Sequence, residues 1–80
     1  MNVLVLGGGG FIGSSIVDQL LQEGHSVRIF EHPLLIPFRQ FKSFEKLEWI
    51  KGDWFDHNSV AQTLTGMDAV IHLISTTGIL

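Results

Sequence analysis

Two regimes of hydrophobic patterning alternate along the chain. Residues 3–6 form a continuous apolar run (Val3, Leu4, Val5, Leu6), as expected of a strand buried on both faces of a parallel sheet. From Phe11 onward the period changes. Ile12, Ile16 and Leu20 recur at four-residue spacing with Val17 and Leu21 beside them, which predicts a helix with one apolar stripe, stopped by Gly24. Ser26–Glu31 (SVRIFE) returns to strand character and ends at His32-Pro33, where proline removes a ladder donor. Leu47–Lys51 predicts a third strand, closed by Gly52-Asp53. Asn58 or Ser59 then starts a helix through Val60, Ala61 and Leu64 that stops at Gly66, and residues 69–74 predict a fourth buried strand. Between the second and third strands, residues 33–46 begin as an apolar loop held by Pro37, and a short helix there would set Phe38, Phe41 and Phe44 three apart.

The order β-α-β-(α)-β-α-β with short connections predicts an α/β chain, a parallel sheet with helices on its faces, in one domain over residues 1–80. With 45% hydrophobic residues and a mean hydropathy of +0.31, the chain is too apolar for a disordered tail. Eight acidic against five basic side chains give a net charge of −3, which argues against binding nucleic acid or an anionic membrane. Four cations do cluster, at Arg39, Lys42, Lys46 and Lys51. Their interleaving with Phe38, Phe41 and Phe44 is better explained by a helix with aromatics inward than by a base-stacking surface. The absence of cysteine excludes disulfides, thiolate metal sites and thiol nucleophiles. His25 and His57 are expected to face solvent at element ends, His72 to be a satisfied core histidine, and Trp49 to lie in the sheet core. No set of histidines and carboxylates has metal-ligand spacing. The N-terminal apolar run has no basic leader, and residues 69–74 fall far short of the roughly 20 a transmembrane helix needs. The expectation is a cytoplasmic protein.

Five of the nine glycines lie between Gly7 and Gly13, where the first strand meets the first helix. A dinucleotide requires a tight turn out of the strand, a backbone its pyrophosphate can approach, and a helix N-terminus whose N–H groups face the anion. Gly7, Gly10 and Gly13 fit GxxGxxG, and Gly8, Gly10 and Gly13 also fit GxGxxG. Glu31, 18 residues after Gly13, stands at the end of the second strand, where a carboxylate can accept from ribose hydroxyls and repel a 2′-phosphate. NAD is therefore favoured over NADP; Arg28, His32 or Arg39 turned toward the ribose would reverse that preference. No Gly-Lys-Ser/Thr follows the glycines, which excludes a P-loop.

Gly7-Gly8-Gly9-Gly10-Phe11-Ile12-Gly13-Ser14 resembles the TGGAGFIGS signature of the extended short-chain dehydrogenases/reductases, in particular the NAD-dependent sugar-nucleotide epimerases and dehydratases typified by UDP-glucose 4-epimerase. Residues 51–56 (KGDWFD) resemble that family's GDxxD segment, and residues 68–75 (DAVIHLIS) its DxVIHLAA strand. The resemblance implies the N-terminal half of a Rossmann-type doubly wound sheet, strand order 3-2-1-4, and a nucleotide-sugar substrate for the parent enzyme. It implies that Gly7, Gly10, Phe11, Ile12 and Gly13 receive the pyrophosphate, Glu31 and His32 hold the adenosine ribose, Asp53 and Trp54 flank the adenine, and Leu73, Ile74 and Ser75 border the cofactor. Leu6 replaces the family's threonine, and Ile74-Ser75 replaces two alanines, narrowing the channel.

Family members move protons with a Tyr-x-x-x-Lys pair. This chain contains no tyrosine. The expectation is a cofactor-binding half-domain without catalytic residues of its own, from an epimerase or dehydratase acting by transient hydride transfer. An NADP-dependent reductase of the same superfamily and a non-catalytic NAD(H)-binding or interaction module are the alternatives. An exposed fourth strand would favour self-association or a homo-oligomer.

Overall fold

Val3 and Val5 point to one face of the sheet and Leu4 and Leu6 to the other, and this division of one apolar run organises the molecule. The computed structural model describes residues 1–35 and 45–74. β1 (Asn2–Leu6) pairs in parallel with β2 (Ser26–Glu31) and with β4 (Ala69–His72), and β2 pairs with β3 (Leu47–Lys51). The order β3-β2-β1-β4 is the one implied by the family resemblance. Parallel neighbours need crossovers. α1 (Phe11–Gln22) links β1 to β2, and α2 (His57–Leu64) links β3 to β4.

On the α1 face, Val3, Val5, Val17, Val27 and Ile29 form a buried cluster, with Leu20, Leu21, Trp49 and Ile71 packed against it. On the other face, Leu4, Leu6 and Phe30 are joined by Ile50, Trp54, Val60, Met67 and Ile74. The largest fully buried side chains, Phe30, Leu4 and Ile29, all belong to β1 and β2. At about 1.5–3 kcal/mol for each such burial, the two central strands carry the core and the edge strands lean on them.

Five expectations need correction. The buried side of α1 is Gly13, Ser14 and Val17, whereas Ile12 is exposed, because Gly13 must face the loop before the helix and this rotates the stripe by one position. α2 begins at His57, earlier than Asn58 or Ser59, because Asp56 is its cap: the carboxylate accepts from the amides of Asn58 (3.1 Å) and Ser59 (3.3 Å) and from the Ser59 hydroxyl (2.9 Å). β4 ends at His72, two residues early. The Leu73 amide still donates to the Leu6 carbonyl, but the Ile74 amide turns onto the His72 ring at 3.2 Å. His72 itself is exposed, because β4 is a sheet edge and His72 lies on its open α2 side. His25 is half-buried, its ring 3.1 Å from the N-terminal amine. The helix considered around Phe38, Phe41 and Phe44 lies outside the described residues.

Arg28 ties α2 to the sheet. It projects beside Phe30's face, pairs with its register neighbour Glu48 at 2.6 Å, and donates to the carbonyls of Thr63 (2.7 Å) and Thr65 (2.9 Å) at the negative end of α2.

Candidate functional site

Because all four strands are parallel, their C-terminal ends open onto one edge of the sheet, and the segments that follow β1, β2, β3 and β4 begin there. The β1 loop is the tightest. Gly7 takes the left-handed conformation at φ +89°, and its amide donates to the Phe30 carbonyl at 2.9 Å, so the chain turns while still bonded to β2. Gly10 is the N-cap of α1 in extended conformation, and the Ser14 amide donates to its carbonyl at 2.9 Å. Gly10 supplies no side-chain cap and the first turn holds no acidic residue, so nothing in the cap neutralises the positive end of the helix. A Cβ built on Gly10 would meet only the Gly7 carbonyl oxygen, at 3.9 Å, and would stand in open space over the helix start. A Cβ on Gly13 would instead collide with that oxygen and lie 2.8 Å from the Gly8 Cα, so glycine alone allows the helix to sit against the loop.

The other expected residues surround this loop. Glu31 is buried, and its carboxylate accepts from the Gly9 amide (3.0 Å) and the His32 amide (3.1 Å). His32 is exposed, its Nδ1 accepting from the Leu34 amide at 3.1 Å. Asp53 is exposed and accepts from the Phe55 amide at 2.9 Å, while its carbonyl accepts from the Asp56 amide, folding the loop after β3 into a turn. Trp54 packs on Phe30, ring centroids 5.1 Å apart and tilted by 55°. Leu73 and Ile74 follow β4; Ser75 lies outside the described residues. Leu6, Trp54, Phe55, Val60, His72 and Ile74 line a cleft of about 360 Å³ at the same edge. Phe11 and Ile12 stay exposed at the mouth of the loop.

Two residues escaped the sequence reading. Gly9 fits no position of the glycine spacing that demands it, yet its amide meets Glu31. Gly52 is needed because a Cβ there would lie 2.8 Å from the Phe30 ring, and its amide donates to the Glu31 carbonyl at 3.0 Å. Its place directly before Asp53 in the GDxxD-like segment was the available signal. Of the cations that could have taken a 2′-phosphate, Arg28 is turned to the opposite face and bound there, and Arg39 lies outside the described residues. Leu6, which stands in place of the family's threonine, is buried with Leu4 and Phe30.

A family model, the 3-beta hydroxysteroid dehydrogenase/isomerase family, matches residues 4–80. The chain belongs to this family. It is 39% identical over 71 residues to a 3 beta-hydroxysteroid dehydrogenase/Delta 5→4-isomerase of Mycobacterium tuberculosis, a match covering 88% of this chain and 18% of that protein. It is 36% identical over 72 residues to a 2-alkyl-3-oxoalkanoate reductase of Stenotrophomonas maltophilia, covering 90% and 21%. The chain thus spans about a fifth of the length of these relatives. Among solved structures, Bordetella bronchiseptica WbmH in complex with NAD+ superimposes with a TM-score of 0.82 at 28% identity, over 96% of this chain and 26% of that one. The UDP-N-acetylglucosamine 4-epimerase of Methanobrevibacter ruminantium gives 0.79 at 34%, over 98% and 25%. Family membership and fold agree with the short-chain dehydrogenase/reductase motifs and their Rossmann sheet. Among the described residues no helix is long and apolar enough to cross a membrane, and no group of three histidines and carboxylates could hold a metal ion.

Proposed function

We propose that this chain is the NAD-binding portion of an oxidoreductase that exchanges a hydride with a secondary-alcohol carbon. The observation that carries the reading is the glycine loop: the open position at Gly10, over an uncapped helix N-terminus, is a cradle that a side chain would fill and that a pyrophosphate fits. The NAD+ complex of the similar WbmH supports it. Gly7, Gly10 and Gly13 shape the cradle, and the Phe11 and Ile12 amides face the pyrophosphate. Glu31 and His32 take the ribose, Asp53 and Trp54 flank the adenine, and Leu73, Ile74 and Ser75 border the cofactor. Bound nicotinamide supplies the hydride acceptor. The chain's own groups bind and orient; the proton-transfer pair of this superfamily has no tyrosine here to form it.

For the parent protein's substrate, the family model and the Mycobacterium relative support a hydroxysteroid-like apolar alcohol. The nucleotide-sugar substrate expected from the motifs is the second reading, supported by the structural likeness to the 4-epimerase. The burial of Glu31 as a carboxylate, with Arg28 directed away, supports NAD over NADP. The cytoplasm is the proposed compartment, and the edge position of β4 supports association of copies along that strand. Equilibrium titration with NAD and NADP tests the reading: NAD binds more tightly, and equal affinity for the two would remove the specificity role of Glu31.

A further inference from the structure

We infer that Glu31 is a positioning residue for the glycine-rich loop, holding it in its receptive shape through the Gly9 amide independently of any contact with a ribose. The inference deepens the NAD-binding reading and rests on it for its effect on ligand, but the latch itself rests on geometry alone.

Glu31 is 5% exposed, and a carboxylate taken from water must find compensating partners. The Glu31 carboxylate is met by backbone dipoles: Gly9 N–H on Oε2 and His32 N–H on Oε1. Such charge-assisted bonds are roughly twice as strong as neutral ones. Gly9 is also seated from the other side. A Cβ there would lie 2.7 Å from the Leu35 side chain and 2.8 Å from the Trp49 ring, so Gly9 is packed between the loop after β2 and the Trp49 side chain of β3. Two residues before the latch, Gly7 is bonded to Phe30; one residue after it, Gly10 caps α1. The latch thus fixes the middle of the segment that aims the first turn of α1. A carboxylate offers about four lone-pair sites and the two amides use two, so acceptance from the hydroxyls of a cis-diol would not require the latch to break. Removing the carboxylate therefore loosens the loop for ligands that carry no ribose at all.

The test uses the ¹⁵N-labelled chain with Glu31→Ala and Glu31→Gln. Two readouts are taken: amide hydrogen exchange, and shift changes at Ile12 and Gly13 during titration with inorganic pyrophosphate and, separately, with NAD. Glu31→Ala speeds Gly9 exchange by about tenfold or more while the Val5 and Ile29 amides keep their protection. Pyrophosphate affinity falls several-fold together with NAD affinity, and Glu31→Gln, which keeps one acceptor oxygen, lies between. If Glu31→Ala does not fold, Glu31→Gln carries the same readouts. Unchanged Gly9 exchange overturns the inference, as does a loss of NAD affinity with pyrophosphate binding intact, which leaves Glu31 a ribose contact only. A wild-type chain that binds neither ligand sinks the NAD-binding reading, and Gly9 exchange still decides the latch.

Discussion

Gly13 lies so close under Gly8 that a methyl group on it would come within 2.8 Å of the Gly8 Cα. Gly13→Ala must push the loop and α1 apart, an overpacking that costs about 1–3 kcal/mol of stability. Gly10→Ala meets open space, so its stability stays near wild type while its methyl occupies the approach to the helix N-terminus. Chemical denaturation and NAD titration of both variants separate packing from access. Each variant loses NAD affinity by tenfold or more, but only Gly13→Ala loses stability. Full NAD affinity in Gly10→Ala counts against the cradle.

Arg28 serves the fold rather than the cofactor. Its guanidinium meets Glu48 and two carbonyls at the end of α2, so Arg28→Ala lowers stability by about 1–2 kcal/mol, and Glu48→Gln, which removes one half-exposed partner, by less than about 1 kcal/mol. The ratio of NAD to NADP affinity stays unchanged in Arg28→Ala. A shift of that ratio would place the arginine at the ribose after all.

The cap of α2 gives stability a pH dependence. Hydrogen bonds from the Ser59 hydroxyl and amide, and then from the Asn58 amide, hold the Asp56 carboxyl below its ordinary value. A carboxyl lowered in the folded state stabilises above its unfolded pKa, and that contribution is lost as the pH falls through the folded one. Asp56→Ala therefore melts below wild type at pH 7, and the gap closes as the pH drops from about 4 downward. Thermal melts across this range check it; a gap that persists at pH 2 means the carboxylate is not the stabilising form.

How far the sequence could be read follows from the range of each interaction. The double-faced run at residues 3–6 and the period change after Phe11 are local signals, and they led to the strands and helices observed, apart from element ends; the sheet order followed from the resemblance of the motifs to a Rossmann family. Asp56 was hidden by its membership of the GDxxD-like segment, although an Asp just before a helix start is also a preferred N-cap. His72 looked buried because its neighbours in the strand are apolar, and only the edge position of β4 exposes it. Glu31 was placed correctly at the end of β2, but its bond to Gly9 spans 22 residues and depends on how the loop folds back over the sheet, which no spacing rule encodes.

β4 pairs with β1 along one side and exposes Val70 on its open face. Unpaired strand edges template further pairing, and a lysine there opposes it. Light scattering after size exclusion then finds the chain associating as its concentration rises, and Val70→Lys shifting it toward monomer. A wild-type chain that stays monomeric across the concentration range removes this surface from consideration.

In the proposed complex the dinucleotide lies across the C-terminal edge of the sheet, with its pyrophosphate at the start of α1. Residue-resolved amide shifts of the ¹⁵N-labelled chain during NAD titration test it most directly. Saturable shifts are expected at Gly10, Ile12 and Gly13, with the Trp54 indole moving in step, and little change at Arg28, Glu48 and Thr65. Shifts confined to that Arg28 end of the sheet, or none at the glycine loop at saturating NAD, would contradict it.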